Sequence, residues 1–298
     1  MAGTSPNTRS ALLMMGSMAA FTFNDACMKA LSDEIPLAQA VFMRGIATGL
    51  LLAVLAWRMG GLRFSLSRRD RALIALRTVA EAAAAWFFIT ALFNMPIANA
   101  TAILQALPLT VTLAGALFLR EPIGWRRLLA ILIGLVGVLL IVQPGAEGFT
   151  VYSVYAVLAV LTVTVRDLAA RRLSAEVPSM LVALVASLGV TVSFGAVSVL
   201  DSWVAPSPLA WAQLGGAAVF VIGGYVFSVM TMRLGDIAAV TPFRYTSLLW
   251  ALLLGLVVFG EWPDRLTLTG AAIVVATGVF TLMREARVRR AAGPAASC

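Results

Sequence analysis

The sequence predicts an all-α integral membrane protein whose ten transmembrane helices form two inverted five-helix repeats, with both termini cytoplasmic. Three observations carry that prediction. Apolar residues make up 61% of the 298 and charged residues only 12%. The mean hydropathy of +0.95 is far above that of a soluble domain, which could not bury so much apolar surface. The apolar residues fall into stretches of roughly 20, long enough to cross the hydrocarbon with every backbone hydrogen bond made inside the helix. The third observation is an internal repeat.

Bounded by charge, proline or glycine, the spans of the first half run over about residues 10–31, 36–57, 72–93, 97–119 and 125–142. Those of the second half run over about 151–171, 178–200, 209–232, 238–259 and 266–283. The domain organisation follows: a cytoplasmic leader at roughly 1–9, a first repeat at 10–142, an extracytoplasmic linker at 143–150, a second repeat at 151–283 and a basic cytoplasmic tail at 284–298. Asn24 and Asp25, near the end of the first stretch, make it a retained helix and not a cleaved signal.

The net charge of +8 is membrane topology, not a nucleic-acid face. With the N-terminus inside, the cytoplasmic side collects Arg9, Arg58, Arg63, Arg68, Arg69, Arg71, Arg120, Arg126, Arg127, Arg171, Arg172, Arg233 and the tail arginines, while Lys29 and Arg265 alone face outward. That excess orients a polytopic chain. The partners implied are the lipid bilayer of a cytoplasmic (inner or plasma) membrane and a small-molecule substrate.

Ile97–Glu121 aligns without a gap on Ile237–Glu261, matching Thr101 to Thr241, Gly115 to Gly255 and Glu121 to Glu261. Upstream, the Asp25, Lys29, Leu31, Ser32, Glu34, Pro36 spacing recurs as Asp167, Arg171, Leu173, Ser174, Glu176, Pro178. Two blocks in the same order point to duplication. Five helices per half is odd, so the halves cross the membrane in opposite directions, the arrangement that supports alternating access around a midplane site.

The chemistry available is restricted. With no histidine, imidazole catalysis and His-based zinc sites are excluded. Lys29 follows Ala26-Cys27-Met28 and so is no Walker lysine, which leaves no ATP-binding motif. Cys27 and Cys298 form no metal or disulfide framework. No cofactor, no metal and no enzymatic activity are expected.

Ala91-Leu92, Ile97-Ala98-Asn99-Ala100, Pro108 and Leu119-Arg120-Glu121-Pro122 resemble the ten-helix EamA-type members of the drug/metabolite transporter superfamily, most of all the YddG-type exporters of aromatic amino acids. The resemblance covers about residues 10–283 and implies secondary transport of small organic metabolites. Aromatic or hydrophobic amino acids are the favoured class. A multidrug or other-metabolite transporter, import included, and a non-transporting membrane scaffold are the alternatives. The second copy departs from the pattern, with Thr241-Pro242-Phe243-Arg244-Tyr245 where the first has Thr101-Ala102-Ile103-Leu104-Gln105.

Charges at membrane depth cost about 2.5–3.5 kcal/mol each on insertion scales, so each needs a partner or a wet cavity. Arg77 and Glu81, at i,i+4, can neutralise one another. Asp25 and Arg44 lie at similar depth and can pair, and Arg166 and Asp167 can snorkel from the inner end of their helix. Arg244 is a candidate for a substrate carboxylate or for an ion pair with Glu81 or Asp167. Thr101, Gln105 and Pro108 share a helical stripe whose repeat counterparts include Thr241 and Tyr245. These residues, with Asn24, Glu81, Trp86, Tyr225, Arg244 and Trp250, are the candidate substrate cavity. Its few charges and many aromatics suit an apolar or amphiphilic cargo.

Overall fold

The computed structural model describes residues 6–58, 66–121, 123–145, 149–174, 176–234 and 240–291. Leader residues 1–5, Arg63, Pro122, the repeat positions Ile237 and Ala238, and the tail end with Cys298 lie outside the described residues. Among the described residues, all regular structure is helical: α1 (Pro6–Lys29), α2 (Leu37–Arg58), α3 (Arg68–Asn94), α4 (Ile97–Leu104), α5 (Leu107–Phe118), α6 (Trp125–Val142), α7 (Val151–Arg171), α8 (Ser179–Ser198), α9 (Pro208–Leu234), a 3-10 segment (Thr241–Tyr245), α10 (Thr246–Phe259) and α11 (Arg265–Ala291). They supply ten spans long and apolar enough to cross a membrane, α4 with α5 forming one and the 3-10 segment with α10 another.

Helix ends follow local chemistry. At the start of α3, Ser67 Oγ accepts from Asp70 N at 3.0 Å and donates to Asp70 Oδ2 at 2.6 Å, so side chains occupy an orphan end of the helix. The two repeat copies close in the same way. Glu261 N reaches Gly255 O at 2.8 Å past Gly260 (φ 64°), and Glu121 N reaches Gly115 O at 3.3 Å past Arg120 (φ 56°). Each bond spans six residues and passes a left-handed residue at the helix C-terminus, glycine in one copy and arginine in the other.

Two compact units emerge. One comprises Met1–Phe23, Pro96–Thr150 and Ile222–Cys298, the other Asn24–Met95 and Val151–Val221, so each draws helices from both halves of the chain. In the unit that begins at Asn24, α2 packs on α8, and α3 packs on α7 and α8. A Cβ on Gly45 would stand 2.5 Å from Thr191 Oγ1, and one on Gly195 would stand 2.7 Å from the Phe42 ring. Gly45 and Gly195 therefore mark close helix–helix approaches, while a Cβ on Gly49 would make only an ordinary contact with Leu188, and α2 runs antiparallel to α8.

In the unit that begins at Met1, α6 packs on α11 and α4 on α10. A Cβ on Gly137 would meet Gly270 O at 2.9 Å, and one on Gly134 would meet Thr277 Oγ1 at 2.7 Å. Ile97 N donates to Glu261 Oε2 at 3.1 Å, while Gln105 Nε2 donates to Ser247 Oγ at 2.7 Å. Both pairs are antiparallel. The second, fourth and fifth spans of one half thus each lie against their own counterparts in reverse direction, which is the inverted repeat in three dimensions.

The spans expected to be continuous at 97–119 and 238–259 are both interrupted. Pro108 has no N–H for the Leu104 carbonyl and its ring crowds that turn. The chain tightens instead, with Ala106 N on Ile103 O at 3.0 Å and Leu109 N on Ala106 O at 2.9 Å. In the other copy the 3-10 segment containing Pro242 ends at Tyr245, the repeat equivalent of Gln105. The prolines differ in position, yet the break falls at the same point of the repeat.

Candidate functional site

Two polar centres occur, one in each unit. The first rests on the seam between α3 and α7, whose antiparallel course brings three rungs together. At one end Asp70 accepts from Ser174 N at 3.1 Å and Ser174 Oγ at 2.9 Å. At the other Phe87 meets Tyr155 edge-on, 5.6 Å between centroids. The middle rung is ionic. Arg166 Nη1 lies 3.0 Å from Glu81 Oε1, and Arg77 Nη2 lies 3.5 Å from Glu81 Oε2. Arg166 Nε donates to Asp167 Oδ1 at 2.9 Å.

Two positive and two negative groups therefore sum to zero, as membrane depth demands. Arg77 and Glu81 neutralise one another as expected, but Arg166 does not simply snorkel: it reaches across to α3. The network is partly open, with about a quarter of the Arg166 and Glu81 side chains exposed (26% and 24%). Trp86, one turn beyond Glu81, packs on Phe194 of α8 at 5.9 Å.

Asn24 supplies a relay in the same unit. Its Oδ1 accepts from Arg44 Nη1 at 3.1 Å, and its Nδ2 donates to Asp25 Oδ1 at 2.9 Å. A donor-only partner on one side and an acceptor-only partner on the other fix the amide orientation. The expected link between Asp25 and Arg44 thus runs through a buried amide, which gives Asn24 a bridging position. Lys29, also buried, donates to Met95 O at 2.7 Å and Leu92 O at 3.3 Å, closing the end of α3.

The second centre surrounds the broken spans. Thr101 and Tyr245 are buried, and neither hydroxyl has a hydrogen-bond partner among the described residues. Gln105 meets Ser247, which in turn donates to Arg244 O at 3.0 Å. Tyr245 turns away toward α11, where its hydroxyl occupies the space that a Cβ on Gly278 would need. Arg244 and Phe243 are exposed, Thr241 is half-buried, and Pro108 opens α5. Trp250 packs on Phe23 at 6.3 Å and Tyr225 on Phe21 at 5.4 Å, so both serve aromatic packing. Beside the break lies a cavity of ≈ 570 Å³ between α10 and α11, lined almost wholly by apolar side chains.

Sequence reasoning passed over Ser247, Phe194 and Tyr155, which carry no local signature. Glu261 was visible only as a repeat match with Glu121. Its carboxylate caps Ile97 N at the start of α4, a favoured place for negative charge. Three residues further on, Asp264 accepts from Thr267 N at 2.7 Å and Gln143 Nε2 at 2.6 Å. Thr267 above all, then Gln143, holds its carboxyl below the usual carboxylate range.

The EamA-like transporter family model matches the chain twice, over residues 8–143 and 151–283. The chain belongs to the EamA-like transporter family. Each match covers one five-span half. Among EamA-like relatives, the S-adenosylmethionine uptake transporter of Rickettsia conorii is 26% identical over 195 residues, 64% of this chain and 64% of that protein. The chain thus spans less than two thirds of that relative's length. The pseudopaline exporter CntI of Pseudomonas aeruginosa is 28% identical over 272 residues, 88% of this chain and 93% of that protein. The riboflavin transporter of Vibrio cholerae is 28% identical over 200 residues, 66% of each. A solved crystal structure shares the fold, with a TM-score of 0.66 at 18% identity, covering 94% of this chain and 99% of that one. The family is one of membrane transporters, and relatives carry small metabolites.

Proposed function

We propose that this protein is a secondary transporter exporting small organic metabolites from the cytoplasm across the inner or plasma membrane by alternating access, with aromatic and hydrophobic amino acids as the favoured cargo. The observation that carries the reading is the ionic rung at Glu81 and Arg166, with aromatic contacts at Trp86 and Phe87 further along α3. A carboxylate and a guanidinium already paired can exchange partners with the ammonium and carboxylate of a zwitterion, keeping the charge sum at zero throughout. Aromatic faces beside them suit an apolar or aromatic side chain. Antiparallel counterpart helices supply two states of similar energy, one open to each side. Arg244, exposed at the break, is a second candidate for the cargo carboxylate.

The test is counterflow of labelled phenylalanine and tryptophan in proteoliposomes, with and without a pH gradient. Exchange that is lost in both Glu81→Gln and Arg166→Gln supports the reading, and Arg244→Ala separates the two carboxylate candidates. Exchange of amino acids at wild-type rate in all three variants removes these residues from recognition. A pH dependence lost in Glu81→Gln assigns the coupling proton to that carboxyl.

A second reading, transport of another metabolite or of drugs and in either direction, is favoured by the names of the relatives, which include both an uptake transporter and an exporter. Counterflow of a wider solute panel decides between them. Failure of every solute returns the protein to the scaffold alternative. Both termini cytoplasmic, with repeats at about 10–142 and 151–283, remains the topology proposed from the arginine distribution.

A further inference from the structure

The cavity beside α10 and α11 has the dimensions of a lipid site. Its lining on α11 runs as one stripe from Thr267 to Val279, a rise of about 18 Å along the helix. One leaflet of a hydrocarbon core about 30 Å thick is about 15 Å deep, so the groove matches the length of a single acyl chain. Its volume of ≈ 570 Å³ is within the range of specific ligand sites, about 300–1,000 Å³. Ala271, Ala272 and Ala276 hollow the α11 wall, and Leu248 and Leu252 form the facing wall.

The surroundings say what fills it. Both walls are membrane spans, and the neighbouring Leu249, Leu253 and Leu256 are about half to two thirds exposed (65%, 48% and 51%), a face that only hydrocarbon covers favourably. The groove begins two residues from Arg265, beside the exposed Trp262, a cation and an aromatic anchor suited to headgroup level. It ends at Tyr245, whose buried ring closes the far end against Gly278.

We propose that this groove holds one acyl chain of a phospholipid from the leaflet on the Arg265 side, with the lipid phosphate at the Arg265 guanidinium. The site depends on the membrane-spanning fold alone and stands whatever solute the protein carries.

The experiment uses the full chain in liposomes containing a trace of anionic phospholipid with a diazirine near the end of one acyl chain. After irradiation, label is mapped by peptide mass spectrometry. Label should concentrate on residues 248–252 and 268–279 over the α6 face, where Leu132, Val136 and Leu139 are equally open to lipid (50%, 53% and 56% exposed). Ala272→Trp, which fills the groove, should lower labelling of those peptides severalfold and leave α6 unchanged. Arg265→Gln, remote from the packed core, should lower it in a correctly folded protein even where the tryptophan variant fails to fold. Equal labelling of the α6 and α11 faces, or labelling unmoved by both variants, reveals annular lipid only and overturns the site. Loss of label on adding a transported solute, or cross-links to a second copy of the chain, would assign the groove to that occupant instead and also overturn it.

Discussion

Glu81→Gln changes the shape of the ionic rung very little and its charge decisively. Arg77 and Arg166 against Glu81 and Asp167 sum to zero, and removing one carboxylate leaves +1. An unpaired charge at membrane depth costs about 2.5–3.5 kcal/mol on insertion scales. Roughly a quarter of each side chain is open (26% for Arg166, 24% for Glu81), so solvent screens part of that and about 2 kcal/mol remains. For a chain of this size the loss corresponds to a fall in Tm of about 4 °C, measurable in detergent by the emission of the seven tryptophans. Arg166→Gln leaves −1 and should cost a similar amount. The double variant restores a sum of zero, so it should be more stable than the two losses added together by about 1–2 kcal/mol. Additivity of the two single losses, to within about 0.5 kcal/mol, would refute the claim that these side chains form one neutral unit.

Four other substitutions test separate contacts. Asn24→Leu strands Arg44 and Asp25 without their shared amide and should cost about 1–3 kcal/mol in thermal unfolding. Arg120→Gly relieves a left-handed residue at φ 56° that its repeat counterpart already fills with glycine, so it should stabilise by about 1 kcal/mol. Gly278→Ala places a methyl where the Tyr245 hydroxyl lies and should destabilise by about 1–3 kcal/mol, with Tyr245→Leu in the same chain recovering much of the loss. Asp264 has its pKa lowered from 3.8 by Thr267 and Gln143; its stabilising effect is therefore fully present above the unfolded-state value and fades as pH falls through the folded one. Asp264→Asn should accordingly be less stable than the parent at pH 7, with the gap in Tm closing below about pH 4.

Span positions were legible because bilayer thickness imposes a length and composition that survive in any order of apolar residues. The fifth and sixth spans were read at 125–142 and 151–171, and α6 and α7 occupy those residues. The breaks near Gln105 and Tyr245 were not, since hydropathy continues through them unchanged; only Pro108 and Pro242 marked a weakness. Pairings between helices were harder to see. Arg77 with Glu81 is a matter of helical spacing and could be read directly, but Arg166 with Glu81 depends on the register of α3 against α7, which no local pattern encodes. Likewise, Tyr245 is the repeat counterpart of Gln105 in the candidate stripe, yet its direction is decided by the absence of a side chain at Gly278.

The ionic rung also sets an order on biosynthesis. Glu81 and Arg166 are 85 residues apart, so α3 leaves the ribosome long before α7 exists. During that interval Arg77, one turn away on the same helix, is the counter-ion that travels with Glu81 into the lipid. Only when the later half arrives does Arg166 join them, so that half of the protein acts as the folding partner of the half made first.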